Sequence, residues 1–120
     1  MRIVVGIGFT SRATAREVSD AVDAACAAAG CGRADVLAVA TTARRRGHPA
    51  LDGLGVPLWF HQPGSLAAVA VPGPSAAVSA VAGTASVAEA AALLSARTDQ
   101  LLVEKRCTPT VCTAVAPVER

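Results

Sequence analysis

The apolar positions come in short blocks whose period changes along the chain. Arg2 to Phe9 is almost continuously apolar, rich in Ile and Val, and contains Gly6-Ile7-Gly8, the pattern of a buried strand. Thr14 and Glu17 have the S/T-x-x-E spacing of a capping box, so a helix is expected to start there. Val18, Val22, Ala25 and Ala29 fall on one face of that helix, and Gly30 is placed to end it. Residues 36–40 predict a second buried strand, followed by Thr41 and Thr42. Arg44-Arg45-Arg46, Gly47 and Pro49 then predict a loop running into a short helix from about Pro49.

Residues 56–60 predict a third strand, and residues 65–69 and 75–81 two short helical pieces separated by Val71-Pro72-Gly73-Pro74. Ser86 and Glu89 repeat the capping-box spacing, which places a helix start there, with Val87, Ala90, Ala91 and Leu94 as its apolar face. Residues 101–104 and 111–115 predict two last strands, joined by the turn residues Cys107-Thr108-Pro109-Thr110. Strands alternating with helices imply an α/β fold. The expectation is a single three-layer domain over residues 1–120, with a mostly parallel sheet and an antiparallel C-terminal edge pair.

Composition narrows this further. The 120 residues include 28 Ala and 16 Val but only two Phe, one Trp and no Tyr, so helices and sheet must approach closely on small side chains. A net charge of +2 with so few aromatics is a poor footprint for nucleic acid. Residues 53–88 hold no charged side chain, yet four prolines and five glycines break the run, so no membrane helix is expected. The apolar start is too short and Gly-broken for a signal peptide, and the expected location is cytoplasmic. Cys26, Cys31, Cys107 and Cys112 form two C-x4-C pairs, unlike zinc knuckles, and are expected to be reduced, with a disulfide or adventitious metal near Cys107 and Cys112 as the alternative.

Ligands of an open α/β sheet bind beyond the carboxyl ends of its strands. Those ends supply Gly6, Gly8, Thr10, Ser11 and Arg12 after strand one, and Thr41 and Thr42 after strand two. The loops holding Pro74 and Ser75, and Gly83, Thr84 and Ser86, have the same small, polar character ahead of helix starts, where free N–H groups favour anions. Gly6-x-Gly8 falls short of a dinucleotide fingerprint, because Ser11 stands at the third Gly position, so no nucleotide cofactor is expected. The alternative is that these glycines only allow a tight turn. Arg44 to Arg46 read as a solvated loop. Lys105 is the only lysine among eleven basic residues. His48 and His61 have no carboxylate or Cys at ligand spacing, so no metal is expected. Ser11, Ser75 and Ser86 lack a nucleophile elbow, and Glu89 is explained by its capping box, so physical reading leans to a binding module.

Three stretches carry a resemblance. They are Val5-Gly6-Ile7-Gly8 followed by the Thr-x-x-Glu helix start, then Val71-Pro72-Gly73-Pro74-Ser75, and then Gly83-Thr84-Ala85-Ser86-Val87-Ala88-Glu89-Ala90-Ala91-Ala92-Leu93-Leu94. With the closing Leu101-Leu102-Val103-Glu104-Lys105, they resemble the CobE/CbiG C-terminal domain family of cobalamin (vitamin B12) biosynthesis, in its stand-alone form. Against that family's pattern, Phe9 replaces a Cys, Thr10 a basic residue, and Gly73 an Asn. The resemblance implies a carboxylate-rich corrinoid or precorrin ligand, with hydroxyls, helix N-termini, Arg12 and Lys105 as its partners. Other corrin-pathway enzymes are implied as protein partners, and hydrolysis of a precorrin lactone is the alternative activity.

Overall fold

The computed structural model describes residues 2–67 and 80–118, and within the last helix the side chains from Val87 onward. Five strands among these residues form one sheet: β1 (Arg2–Phe9), β2 (Val36–Thr42), β3 (Leu58–His61), β4 (Val103–Cys107) and β5 (Val111–Val118), in the order β3-β2-β1-β5-β4. β1, β2 and β3 are parallel neighbours, while β5 runs antiparallel to both β1 and β4. Four strands therefore point the same way, and their carboxyl ends share one edge of the domain.

The first strand and first helix form as their local signals require. β1 is buried from Ile3 to Phe9. α1 (Ala15–Ala28) opens on a complete capping box between Thr14 and Glu17. It closes where Gly30 takes a φ of 72°, with Gly30 N–H donating to Ala27 and Cys31 N–H to Cys26, a Schellman ending. β3 starts two residues later than expected and extends to His61. The segment after β2 forms two short 3-10 helices, Ala43–Arg45 and Pro49–Leu51, in place of a loop and one helix.

Alternation along β1 sends Ile3, Val5, Ile7 and Phe9 to a core shared with α1 and the 3-10 turns, and Val4 to a second core beneath α2 (Pro63–Ala67) and α3 (Ala80–Ala96). Gly6 lies on the α3 side, so close to the helix that an added Cβ would stand 2.0 Å from the Ala88 carbonyl oxygen. Gly6 and Gly8 are thus interior strand residues and do not belong to the turn after strand one, and the bare Gly6 lets α3 dock.

Two further expectations are corrected. α3 runs from Ala80 through Gly83, Thr84 and Ser86, so this stretch is helix and not a loop, and Ser86 with Glu89 does not mark a helix start. Ala-rich sequence on both sides of Ser86 keeps helix propensity high across it. Cys107 and Cys112 are disulfide-bonded, because the β4–β5 register sets them directly opposite each other, whereas Cys26 and Cys31 are free thiols. Burial pushes the Cys26 thiol pKa up, so it stays protonated as part of the core. Pro74, Ser75 and most of the second helical piece lie outside the described residues.

Candidate functional site

The edge formed by the carboxyl ends of the parallel strands collects positive charge. β1 exits into Thr10-Ser11-Arg12, and β2 into Arg44-Arg45-Arg46, with the Ser11, Arg12, Arg44 and Arg46 side chains exposed. No Asp or Glu occurs in residues 1–16 or 36–51, so both turns are purely cationic. The hairpin end of β5 joins the same edge, where Thr10 N–H donates to the Thr110 carbonyl at 2.9 Å.

Aromatic and imidazole groups hold this basic wall in place. The Arg45 guanidinium sits 5.3 Å from the Phe9 ring centroid, and that of Arg46 sits 4.5 Å from the Phe60 centroid. His48 packs edge-on to Phe9 and links the two turns through the Ser11 carbonyl. Arg45 and Arg46 were therefore legible as charge but not as seated charge, since Phe9 and Phe60 are distant in sequence.

The expected site residues separate into groups. Thr10, Ser11 and Arg12 lie on the cationic edge. Thr41 and Thr42 are the last residues of β2 and not part of the following loop. Thr42 Oγ1 accepts from Arg44 N–H at 3.3 Å. Thr41 is fully buried, and its hydroxyl has no hydrogen-bond partner among the described residues.

Glu89 on α3 and Lys105 on β4 lie elsewhere, within electrostatic range of each other. The register of β4 on β5 pairs Val103 with Val115 and Arg106 with Thr113, leaving Glu104 and Lys105 together in a bulge opposite Ala114. Glu89 is 2% exposed, buried among the alanines of α3. Burial raises its pKa, Lys105 opposes that rise, and Glu104 adds to it.

A carboxyl whose pKa is higher folded than unfolded favours the folded state below the ordinary carboxylate pKa and loses that contribution as pH climbs. Glu89→Gln should therefore gain stability relative to the native protein as pH rises above about 4.5. Denaturant midpoints of both proteins across that range check this. A constant difference between them would contradict it.

One further pair carries chemistry. His61, at the end of β3, makes a 2.6 Å hydrogen bond through Nε2 to Ser95 Oγ on α3. Burial lowers the His61 pKa and keeps the imidazole neutral. Only the β3–α3 packing brings these residues together, so no motif announces them. Among the described residues no cluster of His, Cys, Asp and Glu could hold a metal ion, and no helix is long and apolar enough to cross a membrane.

These features define a small α/β domain with a mixed sheet and a cationic rim suited to an anionic ligand. Residues 3–116 match the family model described as Cobalamin synthesis G C-terminus, and the chain belongs to that cobalamin-biosynthesis family. It is similar to the crystal structure of CobE, a protein from the cobalamin (vitamin B12) biosynthetic pathway, with 28% identity, a TM-score of 0.78, and coverage of 95% of this chain and 91% of that one. Similarity extends to cobalamin biosynthesis protein chiG from Agrobacterium tumefaciens, with 26% identity, a TM-score of 0.68, and coverage of 98% and 99%. A putative cobalamin biosynthesis protein G homolog from Sulfolobus solfataricus shares the fold at 18% identity and a TM-score of 0.77, and this chain spans 37% of its length. No curated protein sequence matches the chain significantly.

Proposed function

We propose that the protein binds a carboxylate-rich corrinoid or precorrin intermediate on the cationic edge, and holds it or hands it to other enzymes of the corrin pathway in the cytoplasm. The observation that carries this reading is the pairing of two acid-free turns, bearing Arg12 and Arg44 to Arg46, at the carboxyl ends of neighbouring parallel strands. Guanidinium groups form charge-assisted, bidentate hydrogen bonds with carboxylates, and several of them suit a ring that carries many. Two of the four are steadied by aromatic rings, which reduces the ordering cost on binding.

Replacing Arg45 and Arg46 together by Ala should weaken binding of cobyrinic acid, followed by absorbance, at least about tenfold, since each hydrogen bond to a charged group contributes roughly 1.5–3 kcal/mol. The loss should shrink as salt is added. Unchanged affinity in the double variant would overturn the assignment.

The His61–Ser95 pair favours a second reading, opening of a lactone ring. A neutral imidazole within hydrogen-bond reach of a hydroxyl is the arrangement that activates a serine for attack on an ester carbonyl, the imidazole taking up the hydroxyl proton. On this reading Ser95→Ala abolishes ring opening while leaving corrinoid affinity intact. Full turnover by Ser95→Ala would remove it.

A further inference from the structure

His48 stands between the two cationic turns, and its contacts fix its chemical state. The backbone N–H of Ala50 can only donate, and it points at Nδ1 from 3.0 Å, so Nδ1 is unprotonated. The Ser11 carbonyl can only accept, and it lies 3.1 Å from Nε2, so Nε2 carries the proton. The ring is thus the neutral Nε2–H tautomer. One nitrogen caps the 3-10 helix Pro49–Leu51, and the other holds the turn that bears Arg12. The same ring packs edge-on against Phe9 at 5.1 Å, and Arg45 rests on that Phe9 ring.

We infer that His48 is a positioning residue for the carboxylate site: its Nε2–H bridge to Ser11 sets the distance between Arg12 on one turn and Arg45 on the other. The inference rests on the carboxylate-binding reading above. His48 touches no ligand itself; it acts through the two turns. Its two nitrogens do separable work, because Nδ1 serves local folding while Nε2 serves the spacing of the arginines.

Two substitutions separate these roles. His48→Asn places an acceptor where Nδ1 lies, and so keeps the cap, but it is too short to reach Ser11. His48→Gln places an N–H donor near the Nε2 position, and so keeps the bridge at the expense of the cap. Cobyrinic acid affinity should fall about fivefold in His48→Asn, the effect of one hydrogen bond, and stay within about twofold of native in His48→Gln. Thermal stability should follow the opposite order. A merely structural role would make affinity and stability fall together, which would overturn the inference.

Two measurements need no ligand. Long-range 1H–15N correlation should show the Nε2–H tautomer, and amide exchange of Ser11 to Ala13 and Arg44 to Arg46 should quicken in His48→Asn but not in His48→Gln. An Nδ1–H tautomer, or unchanged exchange in His48→Asn, would overturn the bridge. If the native protein binds no cobyrinic acid, the carboxylate reading fails on its own, and these two measurements still decide whether His48 joins the turns.

Discussion

A Gly6→Ala variant is expected to lose about 3 kcal/mol of stability or more, at the upper end of what overpacking a core costs. The added Cβ would lie 2.0 Å from the Ala88 carbonyl oxygen, 2.7 Å from the Ala92 amide nitrogen and 2.9 Å from Ala92 Cβ. Two of these neighbours are backbone atoms, so no rotamer change relieves the clash and α3 must move off the sheet. The helix packs there on Ala88, Ala91 and Ala92, which leave no longer side chain to yield. Gly32→Ala is the matched control, since its Cβ would meet nothing within 4 Å. Urea unfolding followed by circular dichroism should show a large drop in midpoint for Gly6→Ala and little change for Gly32→Ala. Equal midpoints for Gly6→Ala and the native protein would contradict the packing described.

An Arg33→Ala variant is expected to lose about 2 kcal/mol, an effect that arises from unmade hydrogen bonds more than from lost charge. The guanidinium donates to the Leu54 carbonyl at 2.7 Å, and to the Ser19 carbonyl and hydroxyl at 3.1 and 2.9 Å. These bonds tie α1 to the turn before β3, segments distant in sequence. Its ion pair with Asp23, at 2.8 Å, adds little because the Asp23 side chain is 59% exposed. Lys cannot make the forked set of bonds, so Arg33→Lys should recover only part of the loss. Full recovery by Lys would show that charge, and not the planar fork, holds the segments together. Asp23→Ala should cost under about 1 kcal/mol in the same assay.

What could be read from the chain was what is decided locally. β1 matches its apolar run, and α1 matches its capping box and terminal Gly30 because the partners of each group lie within a few residues. The same spacing at Ser86 and Glu89 misleads, since a box marks a helix start only when the chain before it is not helical, and here α3 already begins at Ala80. Gly6 and Gly8 read as turn glycines because the reason for the contact at Gly6, a helix lying on the strand, is tertiary. The placement of Thr10, Ser11 and Arg12 on the cationic edge was legible from the rule about carboxyl ends. The seats of Arg45 and Arg46 on Phe9 and Phe60, the pairing of His61 with Ser95, and the register that joins Cys107 to Cys112 all depend on strands meeting, which no spacing encodes.

The cationic edge is proposed to recognise the carboxylates of a corrin ring. Its most direct test is an absorbance titration of the native protein with cobyrinic acid and, in parallel, with the same corrinoid carrying its side chains as amides. Saturable binding of the acid, weakened at least about tenfold for the amide and by added salt, is the predicted result. Equal affinity for both forms, or none for either, would overturn this recognition.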